Sequence, residues 1–185
     1  MKIRIRWAAI FAWGIVALLS SCASIPEKAT PVRNFDIQKY LGKWYEIARF
    51  DFRFERDLDN TMARYSLDKS GNITVLNSGY NFKKREWRSA EGIAKFRGDQ
   101  TSAALKVSFF GPFYAGYNVI ALDDEYRHAL VAGRNLDYLW ILSREKSLPL
   151  PVREQYLKIA REIGYDTSRL IWVKHDKTSP FEDAR

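Results

Sequence analysis

The chain is poor in the residues on which most catalysis and most covalent stabilisation depend. Cys22 is the single cysteine in 185 residues, so no intrachain disulfide can form. The two histidines, His128 and His175, have no cysteine nearby and no H-x-x-x-H spacing, which leaves a zinc site without ligands. There is no G-x-S-x-G turn to present a nucleophile, and neither histidine has a partner that would activate one. Phosphate-cradling loops and dinucleotide fingerprints are also missing, so the sequence calls for no cofactor and no metal. No lysine- or arginine-rich run coincides with a helix-turn-helix, finger or RNA-binding pattern, which argues against nucleic acid as a partner. These absences point away from an enzyme and towards a binding or structural protein.

What is present starts with an address. A basic start (Lys2, Arg4, Arg6) precedes the apolar run Trp7 to Leu19, which is shorter than the ~20 residues a membrane span needs. Residues 1–21 therefore read as a secretory signal. Its end, Leu19-Ser20-Ser21-Cys22, resembles the lipobox of bacterial lipoproteins, in which the cysteine becomes the lipidated N-terminus after cleavage. A thiol is needed there because the diacylglyceryl group is carried as a thioether. The competing reading is a plain secreted protein with an incidental cysteine near its cleavage site. Ala23, rather than Asp, implies by the same resemblance an anchor in the outer membrane with the domain facing the periplasm. Residues 22–33, with Pro26 and Pro31, read as the lipidated N-terminus and a tether. Removing the signal takes three of 30 basic residues, leaving 27 against 22 acidic. That mild positive excess suits a surface that meets anionic groups.

The remainder is a succession of short strand candidates separated by turn signals. They run Trp44 to Phe50, Asn60 to Leu67, Ile73 to Tyr80, Ser89 to Phe96, Ala103 to Phe109, Tyr117 to Leu122, Tyr126 to Ala132 and Asp137 to Ser143. Asp68 to Asn72, Gly98-Asp99, Gly111-Pro112 and Asp123-Asp124 are the clearest turns, and Asn81 to Arg88 reads as a basic loop. Eight strands at this spacing, with no helix between them, predict an all-β antiparallel barrel or sandwich of sequential neighbours. After Leu148-Pro149-Leu150-Pro151 the period changes. Val152, Tyr156, Ile159 and Ile163 form one apolar helical face, with Gly164 as its stop. One helix after eight strands predicts an α-helix packed on the outside of the barrel. A last strand, Leu170 to Val173, precedes residues 176–185, expected to be a polar tail.

Three stretches carry a family resemblance. Asn34-Phe35-Asp36 leading to Gly42-Lys43-Trp44-Tyr45 resembles the first conserved region of the lipocalins. Ala121 to Tyr126 with Ala129-Leu130-Val131 resembles the second, and Leu139 to Arg144 the third. Lys43 to Arg49 and Ala104 to Tyr114 look like the bacterial, outer-membrane lipoprotein branch in particular. The likeness covers residues 34–175. It implies an eight-stranded up-and-down barrel with Gly42, Trp44 and Arg144 at the closed end, Arg144 lying over the Trp44 ring at a gain of about 0.5–2 kcal/mol. The lack of disulfides departs from many animal lipocalins and leaves stability to packing.

Given an inward Trp44, alternation puts Glu46, Ala48 and Phe50 inside on the first strand, and Tyr138, Trp140 and Leu142 on the last. Carried to the neighbours, it adds Ala63, Tyr65, Ile73, Val75, Asn77, Ala94, Phe96, Leu105, Val107, Phe109, Tyr117 and Val119. The expected ligand-binding lining is drawn from this apolar, aromatic set, and the small residues at 48, 63 and 94 leave room for one ligand. Glu46, alone inside, is expected to be satisfied by a Tyr or an Arg rather than to do acid–base work. Up-and-down topology sends residues 51–59, 81–88, 110–116 and 133–136 to the mouth, where Lys83, Lys84 and Arg85 are the head-group candidates. The resulting expectation is a carrier or store of amphipathic lipids, fatty acids or lysophospholipids, with the acyl chain in the barrel. A planar apolar ligand such as a tetrapyrrole or retinoid is the alternative, and an empty structural barrel the third reading.

Overall fold

The computed structural model describes residues 25–182; the signal segment and Cys22 lie outside the described residues. A four-residue helix α1 (Ile37–Tyr40) leads into eight strands. They are β1 (Gly42–Arg49), β2 (Leu58–Leu67), β3 (Ile73–Asn81), β4 (Glu86–Phe96), β5 (Ala104–Phe110), β6 (Phe113–Leu122), β7 (His128–Ala132) and β8 (Leu139–Ser143). The long helix α2 (Leu150–Ile163), a 3-10 turn (Thr167–Arg169) and a two-residue strand β9 (Ile171–Trp172) follow. Each strand from β1 to β8 pairs antiparallel with its successor, and β8 pairs back onto β1. The sheet thus closes into an up-and-down barrel and leaves no long edge.

Period-two alternation sorts the apolar side chains into two cores. Trp44, Tyr65, Val75, Leu105, Val119, Val131 and Leu142 point into the barrel. Ile47, Leu130, Ala132, Leu139 and Ile141 point out and are covered by Tyr156 and Ala160 of α2. Val152, Ile159 and Ile163 join this outer core, so the apolar stripe of α2 is the face it buries. Pro149 and Pro151 open the helix, and the Gly164 N–H closes it on the Ala160 and Arg161 carbonyls. Leu130, Leu139 and Ile141 have no exposed surface, and each such burial stabilises by about 1.5–3 kcal/mol. The helix is a supporting wall of the barrel.

Three features differ from expectation. First, β4 begins at Glu86 and β6 at Phe113, so the mouth segments read as loops are strand almost to their tips. Glu86 to Ser89 pair in register with Asn81 to Ser78, and this ladder outweighs the poor strand propensity of a charged sequence. Second, β1 carries a bulge between Glu46 and Ala48, discussed below. Third, the expected tail is docked wherever it is described. β1 and β2 pair only as far as Tyr45 and Met62, and the chain after α2 fills the gap beyond. The Val173 N–H donates to the Ile47 carbonyl at 2.9 Å, and the Asn60 N–H donates to the Lys174 carbonyl at 2.8 Å. His175 Nε2 donates to the Glu46 carbonyl at 2.8 Å, and the Lys177 N–H donates to Asn60 Oδ1. Farther on, Lys43 Nζ reaches Glu182 at 2.8 Å and the Tyr45 hydroxyl donates to the same carboxylate.

Candidate functional site

The barrel is plugged at one end and has space at the other. At the plugged end the Trp44 ring is fully buried, and its Nε1–H donates to the Tyr40 carbonyl at 2.8 Å. The Arg144 guanidinium lies 3.9 Å from the centre of that ring. Gly42, at φ +92°, starts the strand in a backbone shape that disfavours side chains, and an added Cβ would stand 3.4 Å from Arg144 Nη1. α1 lays Tyr40 across the opening, 4.7 Å from the Trp44 ring and 5.3 Å from Tyr65. The Tyr40, Tyr117 and Tyr65 hydroxyls form a chain with links of 2.6 and 2.8 Å. Burial pushes all three phenols above their ordinary pKa, so they serve as neutral donors.

Above this plug, Ala63, Tyr65, Val75, Phe96, Leu105, Val107, Phe109, Tyr117, Val119 and Trp140 all contribute to the inner core. Asn77 faces the same way by register, and the Tyr138 ring stacks on Trp140 at 6.2 Å. Phe109 lies flat on β4 because Gly92 has no side chain; a Cβ there would stand 2.8 Å from the ring. Ala63, Asn77 and Ala90 are paired across β2, β3 and β4, so three small side chains stand in a row on the inner wall. Inward-facing Ala63, Asn77, Phe109, Tyr117 and Trp140 are only half-buried, and Ala90 is exposed. Side chains that point inward yet keep accessible surface show that the upper interior is not filled. Ala90 was missed because the sequence pattern began the strand one residue earlier without extending its alternation to the mouth.

Two expected lining residues are elsewhere. Ala48 and Phe50 belong to the outer core, under α2 and beside Tyr165. The bulge at Ile47 adds one residue to β1, and a slip of one residue exchanges the two faces. Arg49 takes the inward place instead, opposite Trp140, with only 2% of its surface exposed. Its Nη1 donates to Glu46 Oε1 at 3.0 Å, and Thr61 Oγ1 donates to the same oxygen at 3.0 Å. Its Nη2 donates to the carbonyls of Glu55 and Leu58, both at 2.9 Å. The Glu55 carboxylate lies 3.7 Å from Arg49 Nε and accepts from the Trp140 indole at 3.3 Å. Burial, reinforced by the Glu46 charge, holds the Glu55 carboxyl well above its ordinary pKa against the pull of Arg49. A buried charge must be paired. The signal for this cluster was present in the sequence, as a Glu and an Arg embedded three apart in an otherwise apolar strand.

At the mouth, the three head-group candidates are not brought to one point. Lys83 pairs with Asp57 at 2.9 Å, while Lys84 is exposed. Arg85, at φ +56°, turns outward into a groove of ≈ 250 Å³ on the outer wall, shared with Asp59, Asn60, Tyr80, Phe82, Lys174, Asp176 and Lys177. The turn that reverses the chain between β3 and β4 sends successive side chains to different sides. The loop between β1 and β2 folds over the opening, with Phe52 edge-on to Trp140 at 5.6 Å and to Tyr138 at 5.9 Å. Among the described residues no three His, Cys, Asp or Glu side chains gather as a metal site.

Comparison with known proteins agrees with this geometry. Residues 35–175 match the model of the lipocalin-like domain. The outer membrane lipoprotein Blc of Citrobacter freundii is 57% identical over 159 residues, covering 85% of this chain and 90% of that protein. Its counterpart in Escherichia coli (strain K12) is 55% identical over the same shares. Among solved structures, insecticyanin from the tobacco hornworm Manduca sexta superposes with a TM-score of 0.63 at 24% identity, covering 79% of this chain and 84% of that one. A closed barrel floored by Trp44 and Arg144, a single helix on its flank and relatives of this identity have one common meaning: the chain belongs to the lipocalin family.

Proposed function

We propose that the chain is a lipid-anchored carrier, held through Cys22 at the outer membrane, that takes single-chain amphipathic lipids such as long-chain fatty acids or lysophospholipids into its barrel. The observation that carries this reading is the accessible surface left on inward-facing Ala63, Asn77, Ala90 and Phe109 above a fully packed floor. A largely apolar wall over a closed bottom suits the insertion of an acyl chain tail first, with its polar end left towards the mouth. The names of the Citrobacter and Escherichia relatives support the anchor and the compartment. Binding is the activity to test, since the buried polar groups of the interior are taken up in pairing one another: Glu46 with Arg49 and Thr61, and Tyr40 with Tyr117.

Ala90→Trp places a large ring in the upper space from a position that is already exposed, so it fills the site without overpacking the floor. Titration with a monomeric lysophospholipid in solution is expected to show affinity lowered at least about tenfold, with the melting temperature unchanged. Unaltered affinity would place the ligand elsewhere and sink the reading. Visible absorbance in the purified protein would favour a conjugated planar ligand. Mass spectrometry of membrane-purified protein with an unmodified Cys22 would remove the anchor.

A further inference from the structure

The β5–β6 hairpin ends in a two-residue turn at residues 111–112 that projects two phenylalanine rings beside the mouth, and a third joins them from the neighbouring loop. Phe110 and Phe113 are cross-strand partners, and Phe54 from the β1–β2 loop stacks on Phe110 at 5.6 Å. The three rings are 66% (Phe54), 62% (Phe110) and 79% (Phe113) exposed, although nothing in the fold prevents polar residues at these tips. An apolar cluster of this kind on a protein surface marks a contact with something.

We propose that this tip is a membrane-docking surface that sets the mouth against a bilayer carrying anionic head groups. The surrounding charge selects that occupant. Asp51 is paired with Arg56 and Asp57 with Lys83, which neutralises the nearby acids. Arg53 and Lys84 have no ion-pair partner among the described residues, and Lys106 caps Tyr114 on the hairpin at 4.9 Å from the ring centre. Aromatic tips flanked by cations fit the interfacial layer of a lipid leaflet, where rings sink among head groups and ammonium and guanidinium groups meet phosphates. Two of the rings flank a narrow turn and the third stacks on Phe110 from the adjacent loop, so the cluster is a protruding tip, which favours a fluid surface over a structured protein partner. Docked in this way, the mouth would open directly onto the leaflet. The inference rests on the lipid-carrier reading for its purpose and on the rings alone for its geometry.

Both cores draw only on residues 32–170, so the chain from residue 22 onward carries the whole barrel, and Cys22→Ser in that chain removes any acyl anchor. Its co-sedimentation with vesicles of phosphatidylethanolamine and phosphatidylglycerol is compared with that on phosphatidylcholine vesicles. The anionic vesicles are expected to retain it, and Phe54→Ser with Phe110→Ser and Phe113→Ser to lower retention at least about tenfold. Phe113→Ser alone, at the most exposed ring, is expected to give part of that loss with an unchanged near-ultraviolet spectrum. Failure of the parent chain to bind anionic vesicles, or equal binding by the triple variant, overturns the proposal. So does a self-association of the parent chain that the triple variant abolishes, because the rings would then be an interface between copies. Lysophospholipid titration without vesicles separates the two readings: docking without ligand uptake removes the carrier, and uptake without docking removes the tip.

Discussion

Around Arg144, one guanidinium meets four backbone carbonyls. It donates to Tyr126 at 3.1 Å, Lys43 at 2.7 Å, Lys39 at 2.8 Å and Tyr40 at 3.2 Å while covering the Trp44 ring. These carbonyls belong to α1, the start of β1 and the β6–β7 loop, so a single side chain ties together three segments distant in sequence. A lysine keeps the charge but has neither the planar fork nor the ring-stacking face. Arg144→Lys is expected to destabilise by about 3 kcal/mol, measured by urea unfolding at neutral pH, with most of the loss from carbonyls left unpaired. A change under about 0.5 kcal/mol would show that α1 and the loop hold the floor without it.

Between residue and fold lies the loop joining β1 to β2, latched down by Glu55. Its carboxyl is protonated more readily in the folded protein than in the unfolded chain, whose value is near 4.5. The sign follows directly. As pH rises past 4.5 the unfolded Glu55 loses its proton while the folded one keeps it, so the folded state loses relative stability until the raised pKa is passed. Glu55→Gln imitates the protonated form and escapes that loss. The variant and the parent are expected to be equally stable near about pH 4 and to diverge towards about pH 8, by on the order of 1 kcal/mol per pKa unit of elevation. A parallel pair of pH–stability curves would mean that the loop carries no titrating latch. The same strand shows where sequence reading stops. The eight-strand order and the α2 stripe were legible because each repeats a regular period or a turn signal, whereas the Trp44–Arg144 contact was legible only through the resemblance of its two stretches to lipocalin conserved regions. The bulge at Ile47 has no Gly or Pro to mark it, yet it moves Ala48 and Phe50 outward and Arg49 inward. Facing depends on counting, and one uncounted residue reverses everything after it. The scattering of Lys83, Lys84 and Arg85 was hidden for a similar reason, because a tight turn with a left-handed residue erases the alternation used to aim them.

For the whole molecule, the upper part of the β1–β2 seam depends on the segment after α2. Its far end is held by Glu182, whose carboxylate is kept down at a pKa of about 2, chiefly by the Lys43 ammonium and then by the Tyr45 hydroxyl. A depressed carboxylate stabilises fully above the unfolded value of 4.5 and ceases to do so as pH falls towards 2. Protection factors of the amides in residues 174–182, corrected for intrinsic exchange, are expected to fall across that window, and in Glu182→Gln to be low already at neutral pH. Equal protection in both chains would show that the backbone bonds to Ile47 and Asn60 suffice. The seam that this segment fills also has a temporal meaning. The upper half of β1, the first barrel strand to be made, takes its partners from β8 and from residues 171–175, which follow more than 90 residues later. Contacts this distant in sequence make closure of this seam slow. The upper seam of the barrel can therefore be completed only after all eight barrel strands and α2 have been made.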